Sequence, residues 1–130
     1  MGTEPKLSEL TRRERQIMDV VYRFGNASAA EIVEYLPGEH KNATIRTLLG
    51  VLEEKGFLRH ESVKGKYIYY PTIPLQKAAR AALNQVLETF FQGSEARAVI
   101  SILKKADSAL TDDDAELILE LIKKSREEGM

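Results

Sequence analysis

The sequence contains no cysteine. That removes disulfide stapling, cysteine metal sites and thiol nucleophiles together. A 130-residue chain that folds without disulfides suits a reducing compartment. Long hydrophobic runs are missing too: no stretch approaches the roughly 18 apolar residues of a membrane span. Residues 1–10 hold no apolar run and carry Glu4 and Glu9, so they do not read as a signal peptide. The expectation is a cytoplasmic protein with no membrane partner.

Charge of one sign is also lacking. The net charge is -1, which does not advertise a nucleic-acid partner. Residues 1–72 carry 5 Lys and 6 Arg against 9 Glu and 1 Asp, a net +1, and the remainder is net -2. The asymmetry is small, so function must be argued from where charges sit. Histidine is scarce, at two residues. His40 falls in a polar loop and His60 in a strand, with no triad or metal spacing around them; His40 reads as surface and His60 as packing. No glycine-rich phosphate loop is present. Asp112-Asp113-Asp114 resembles cation bait, but consecutive residues at a helix start point in different directions, and helix capping accounts for them. No cofactor or metal is expected, and no enzyme.

What is present is a strong helical grammar, with 43% apolar residues to build a core. Thr11 and Glu14 have capping-box spacing. Ile17, Val20, Val21 and Phe24 then form one apolar face, closed by Gly25. Ser28 and Glu31 repeat the box, followed by Ala29, Ile32, Val33 and Leu36, and Pro37-Gly38 stops the helix. A third helix is expected from Asn42 as N-cap, with Ile45, Leu48, Leu49 and Leu52 inward and Gly56 after its end. The period then changes. Residues 57–61 and 66–70 read as strands of a β-hairpin joined by a three- to four-residue turn over 62–65. Pro71 and Pro74 bracket an exit linker, and Pro74 suits a helix's first turn. Three more helices follow. Their apolar residues are Leu83, Val86, Leu87 and Phe90; then Ala96, Val99, Ile100 and Leu103; and, after a cap at Thr111, Leu117, Ile118, Leu121 and Ile122.

The fold class is therefore mainly α with a small β-hairpin. Residues 1–73 form an N-terminal winged helix-turn-helix domain and residues 74–130 a three-helix C-terminal dimerisation arm. In such a domain the third helix offers its outer face to the DNA major groove. With Ile45, Leu48, Leu49 and Leu52 inward, that face is Ala43, Thr44, Arg46, Thr47 and Gly50. Arg46 has the fork that matches guanine, and the threonines can reach phosphates or a thymine methyl. Gly50 costs about 1 kcal/mol of helix propensity, which a close approach to DNA would justify. Lys41 and Asn42 stand at the helix start, and Lys64 and Lys66 at the wing tip. Each has a plainer reading alone: a solvated arginine, lysines that blunt a strand edge, tyrosines 67, 69 and 70 as strand packing. Their combination points to double-stranded DNA. The alternative is a winged-helix module that binds protein and no nucleic acid.

Dimerisation is expected through Leu83, Leu87, Phe90, Phe91, Val99, Ile100, Leu103, Leu117 and Leu121. Adjacent Phe90 and Phe91 cannot both face the interior of one isolated helix.

The stretches LTRRERQIMDVVYRFGNASAAEIVEYL, TIRTLLGVLEEKGFLRHE, YIYYPTIP, FFQGSEARAVISIL and LTDDDAELILELIKK, in this order and spacing, resemble the penicillinase-repressor family over nearly the whole chain. The resemblance implies a homodimer that binds a dyad-symmetric operator through its third helix and represses resistance or stress genes, with C-terminal helices exchanged across the dimer. In the family's best-known members a membrane sensor protease triggers cleavage at an Asn-Phe bond, which aligns with Ser101-Ile102. This chain departs from the pattern at both residues. A copper-responsive branch uses C-terminal cysteines, and this chain has none, which excludes thiolate copper sensing.

Overall fold

The computed structural model describes residues 5–38, 42–105 and 109–128. Among them, after a 3-10 turn at Leu7–Glu9, come helix α1 (Arg12–Phe24), strand β1 (Ala27–Ser28), α2 (Ala29–Tyr35), α3 (Asn42–Glu54), β2 (Leu58–Val63), β3 (Lys66–Pro71), α4 (Leu75–Phe91), α5 (Glu95–Leu103) and α6 (Asp112–Glu128). The chain divides into two compact units, residues 1–86 and 87–130.

The first unit begins with the expected capping box. Thr11 Oγ1 accepts from the Glu14 N–H at 3.2 Å, and the Thr11 N–H donates to Glu14 Oε1 at 2.8 Å. Ile17, Val20 and Val21 are buried, as their spacing predicts, and Met18 joins them. Phe24, expected on the same face, is instead exposed. It sits in the last turn, next to the left-handed Gly25 (φ 82°), and its ring packs on Tyr35 with centroids 4.8 Å apart. The second capping box, Ser28 with Glu31, opens α2.

Helix α3 ends in a Schellman motif. The Phe57 N–H donates to the Leu52 carbonyl at 2.9 Å and the Gly56 N–H to that of Glu53 at 3.0 Å, with Gly56 at φ 89°. This turn drops Phe57 and Leu58 into the core. Asn42, expected as N-cap, already lies within the helix.

The sheet differs from the expected hairpin in two ways. It has three antiparallel strands in the order β1-β3-β2, because Ala27 and Ser28 pair with Tyr69 and Ile68. A two-residue strand carries too little alternation to be read from sequence. The hairpin turn is also tighter than the expected three to four residues. Val63 pairs with Lys66, leaving only Lys64 (φ 51°) and Gly65 (φ 81°) between the strands. Two consecutive left-handed residues make a primed turn, whose twist matches that of the strands and lets pairing run to the last residue.

One core unites α1, α2, α3 and the sheet: Ile17, Val21, Ile32, Ile45, Leu49, Leu52, Leu58 and Tyr69 are all buried in it. Ile73 and Ala78 belong to it as well, so the start of α4 packs on this unit. The Tyr22 hydroxyl donates to the Ile73 carbonyl at 2.9 Å and fixes the exit of the chain. Pro74 lies just before α4 rather than in its first turn, and its carbonyl accepts the Ala78 N–H at 3.0 Å.

In the second unit, the Gly93 N–H donates to the Leu87 carbonyl at 2.8 Å where α4 ends. Thr111 and Asp114 cap α6 reciprocally, at 3.3 and 3.1 Å. Leu87 and Ala98 are buried, while Val99, Ile100, Leu103, Leu117, Leu121 and Ile122 are exposed.

Candidate nucleic-acid interface

Helix α3 has two chemically distinct faces. Ile45, Leu49 and Leu52 are 0% exposed and Leu48 is half-buried. Asn42, Ala43, Thr44, Arg46, Thr47 and Gly50 are all exposed. The inward residues are spaced to one side of a 3.6-residue repeat, so anchoring them aims the others outward. Lys41 lies outside the described residues, as does His40.

The outer face is not shaped by packing. A Cβ added to Gly50 would meet nothing within 4 Å. No contact among the described residues therefore requires glycine there. Arg46 makes no hydrogen bond or ion pair among the described residues. Thr47 is partly committed: its hydroxyl donates to the Ala43 carbonyl at 3.0 Å, which leaves its oxygen's acceptor capacity and its methyl group available.

The hairpin projects the second group of cations. Residues 61–67 are exposed throughout, Lys64 and Lys66 among them. Lys64 occupies the first of the two left-handed turn positions, so its side chain stands at the tip. Strand alternation and register put Leu58, His60, Ser62, Tyr67 and Tyr69 on one face of the hairpin and Arg59, Glu61, Lys66 and Tyr70 on the other. On the latter, the Arg59 guanidinium bridges Glu61 at 2.9 Å and lies over the Tyr70 ring at 4.5 Å.

On the former face His60, Tyr67 and Tyr69, read from the sequence as packing, gain a partner that the sequence did not single out, Glu53. His60 Nδ1 approaches both carboxylate oxygens of Glu53, at 2.7 and 2.8 Å. Its ring stacks on Tyr67 with centroids 4.1 Å apart and an interplanar angle of 20°. Tyr69 packs beside it, tilted, at 5.8 Å. Burial, reinforced by the negative charge of Glu53, pushes the Tyr69 hydroxyl up, while the positive charge of Arg46 opposes this. One sequence signal for His60 was available: it sits two residues from buried Leu58 and so shares its face. Nothing local pairs it with Glu53.

Glu14 is a second residue whose full role was hidden. It is 2% exposed, and Lys55 at the end of α3 binds it at 2.8 and 3.0 Å. The Lys55 hydrogen bond, then the Thr11 N–H, holds its carboxyl below the ordinary carboxylate range despite burial.

Among the described residues no group of three or more His, Cys, Asp or Glu could hold a metal ion. Asp114 serves the α6 cap instead. No described helix is long and apolar enough to cross a membrane. Ser101 and Ile102 lie within α5, in helical backbone.

A family model for the penicillinase repressor matches residues 10–124. The chain belongs to the penicillinase-repressor family. Members of this family are DNA-binding transcriptional regulators and not enzymes. The winged unit and the C-terminal helices agree with that membership in fold. The chain is also 24% identical over 107 residues to an uncharacterized 16.5 kDa protein in the ptsI 3′ region of Latilactobacillus sakei, which covers 81% of this chain and 73% of that one.

Proposed function

We propose that this penicillinase-repressor family member is a cytoplasmic homodimer that represses transcription by binding a dyad-symmetric operator in double-stranded DNA. Control of resistance or stress genes is the role that family membership suggests. The observation that carries the reading is the outer face of α3. It presents an exposed Arg46, two threonines and a glycine whose Cβ position is open. A glycine in an exposed helix costs stability with no return inside the molecule. It allows the helix backbone to approach a groove floor closely. Arg46 would read a guanine edge, Thr44, Thr47 and Asn42 would contact phosphates or thymine methyls, and Lys41, Lys64 and Lys66 would neutralise backbone charge.

Dimerisation rests on the C-terminal helices. Phe90 is 74% exposed, and Leu83, Val99, Ile100, Leu103, Leu117 and Leu121 are exposed large apolar residues on α4, α5 and α6. Phe91 is half-buried and Leu87 buried. Pairing two arms about a twofold axis would remove this surface from water. It would also link two winged units, making the second half-site contact intramolecular and raising affinity on the order of a hundredfold or more. Ser101-Ile102 does not offer the Asn-Phe bond that the family's sensor protease system cleaves. Ser101 and Ile102 are held in a helix, whereas nicking favours exposed loop tips.

The test is an electrophoretic mobility shift with a fragment of the gene's own upstream region. Retardation that weakens as salt rises is expected. A second reading, a winged-helix module that binds protein alone, is favoured only by the net charge of -1, and it requires no retardation at any salt concentration.

A further inference from the structure

Arg46, Gly50 and Glu53 are spaced i, i+4 and i+7 and so share one stripe of α3. The stripe read as facing DNA therefore ends in a carboxylate. An acidic group there should repel phosphate, and an uncovered one would weaken binding. The structure covers it with the root of the wing: His60 of β2 sits against both Glu53 oxygens through Nδ1, and the Tyr67 ring of β3 stacks on the face of the imidazole. A carboxylate only accepts, so Nδ1 carries the hydrogen of this bond.

We infer that Glu53 and His60 form a clamp that sets the pose of the wing on the DNA-facing helix, so that Glu53 promotes DNA binding despite its charge. The inference rests on the DNA-binding reading above and names positioning residues for it. Both side chains are about one-third exposed, at 27% and 33%. A pair that exposed adds little to stability. Its position makes it matter. Beyond His60 the hairpin is exposed as far as Tyr67, so the wing is a lever held at its root. Lys64 lies four residues further out, roughly 13 Å along the strand. A rotation of about 10° at the root would carry the tip about 2 Å at that lever length, enough to part an ammonium from a phosphate oxygen.

Simple electrostatics and the clamp predict opposite signs for one substitution. Removing an acidic charge from a DNA-facing stripe should tighten binding, whereas removing a clamp should weaken it. The experiment titrates the full chain and its Glu53→Ala, Glu53→Gln and His60→Phe variants against the upstream fragment across a salt series. Thermal unfolding is followed in parallel. Glu53→Ala is expected to bind more weakly and to flatten the plot of log K against log salt by up to about two units, the share of two phosphate contacts. Glu53→Gln retains an acceptor for Nδ1–H and should recover most of the parent slope. His60→Phe keeps the stack on Tyr67 but cannot donate, so it should behave as Glu53→Ala does, and it carries the test if that variant does not fold. Adding Lys66→Ala to Glu53→Ala should flatten the slope little further. Binding by Glu53→Ala as tight as the parent's, or tighter, overturns the clamp while leaving DNA binding intact. A parent chain that does not retard the fragment overturns the DNA reading itself.

Discussion

Lys55 Nζ, just past the end of α3, lies 2.8 Å from Glu14 Oε2 in the first turn of α1. The carboxylate is almost fully buried, and it also accepts the Thr11 N–H at 2.8 Å. One residue thus caps one helix and tethers another, joining sites 41 positions apart in the chain. The tether holds the far end of the helix whose outer face carries Arg46 and Gly50.

Breaking that tether should cost stability. Glu14→Ala is expected to lose about 1.5–3 kcal/mol, the usual worth of hydrogen bonds to a charged group, with the lower part of the range favoured because Lys55 is 42% exposed. Urea unfolding at neutral pH measures it. The pH dependence follows from the same contacts. The folded-state pKa of Glu14 is lowered, so its contribution is fully present above the ordinary value of 4.5 and is lost as pH falls through the lower folded value. The parent's stability should drop in that acid window. Glu14→Gln should drop less steeply there; equal slopes for the two would refute the assignment.

Gly50→Ala should move stability and binding in opposite directions. With open space around the added methyl, the helix gains up to about 1 kcal/mol. If α3 lies close against DNA, the same methyl weakens operator affinity. A variant that melts higher yet binds the upstream fragment as well as the parent would show that the glycine has no part in recognition.

Arg46→Ala should weaken specific binding by about 1–3 kcal/mol, the worth of one base-reading arginine. Because Arg46 is exposed and makes no hydrogen bond or ion pair among the described residues, the unfolding midpoint should stay put. An anisotropy titration that gives unchanged affinity for the upstream fragment decides against the role.

Lys64→Asn and Lys66→Ala should weaken binding to any duplex, each flattening the salt plot by about one unit. Asparagine is the better replacement at 64 because the φ of 51° there is left-handed, which asparagine tolerates. A slope indistinguishable from the parent's would place the wing off the DNA.

Phe90→Glu in the full chain should convert a dimer into a monomer in sedimentation at micromolar concentration. A truncation that separates the winged unit is better made after Val86 than after Thr72, since Ile73 and Ala78 lie in the winged core. A parent that sediments as a monomer at that concentration would refute the arm's role.

The sequence alone determined the helices of the winged unit and their order, because capping boxes, apolar spacing and terminal glycines act within a few residues. Thr11 with Glu14, Ser28 with Glu31, and Gly56 each behave as their spacing requires. It also determined which side of α3 faces out, since the buried Ile45, Leu49 and Leu52 leave Arg46 and Gly50 no other place. The rest was decided by tertiary structure, through contacts between residues far apart in the chain. Strand β1 exists because Ala27 meets Tyr69. Lys55 finds Glu14 only when α3 crosses back to α1. Phe24 lies outside the core, with its ring on Tyr35 of another helix. His60 meets Glu53 because a Schellman turn and a tight hairpin fold the wing's root onto the helix. Such pairings have no local period, and a carboxylate or imidazole carries no mark in the sequence of the partner it will find.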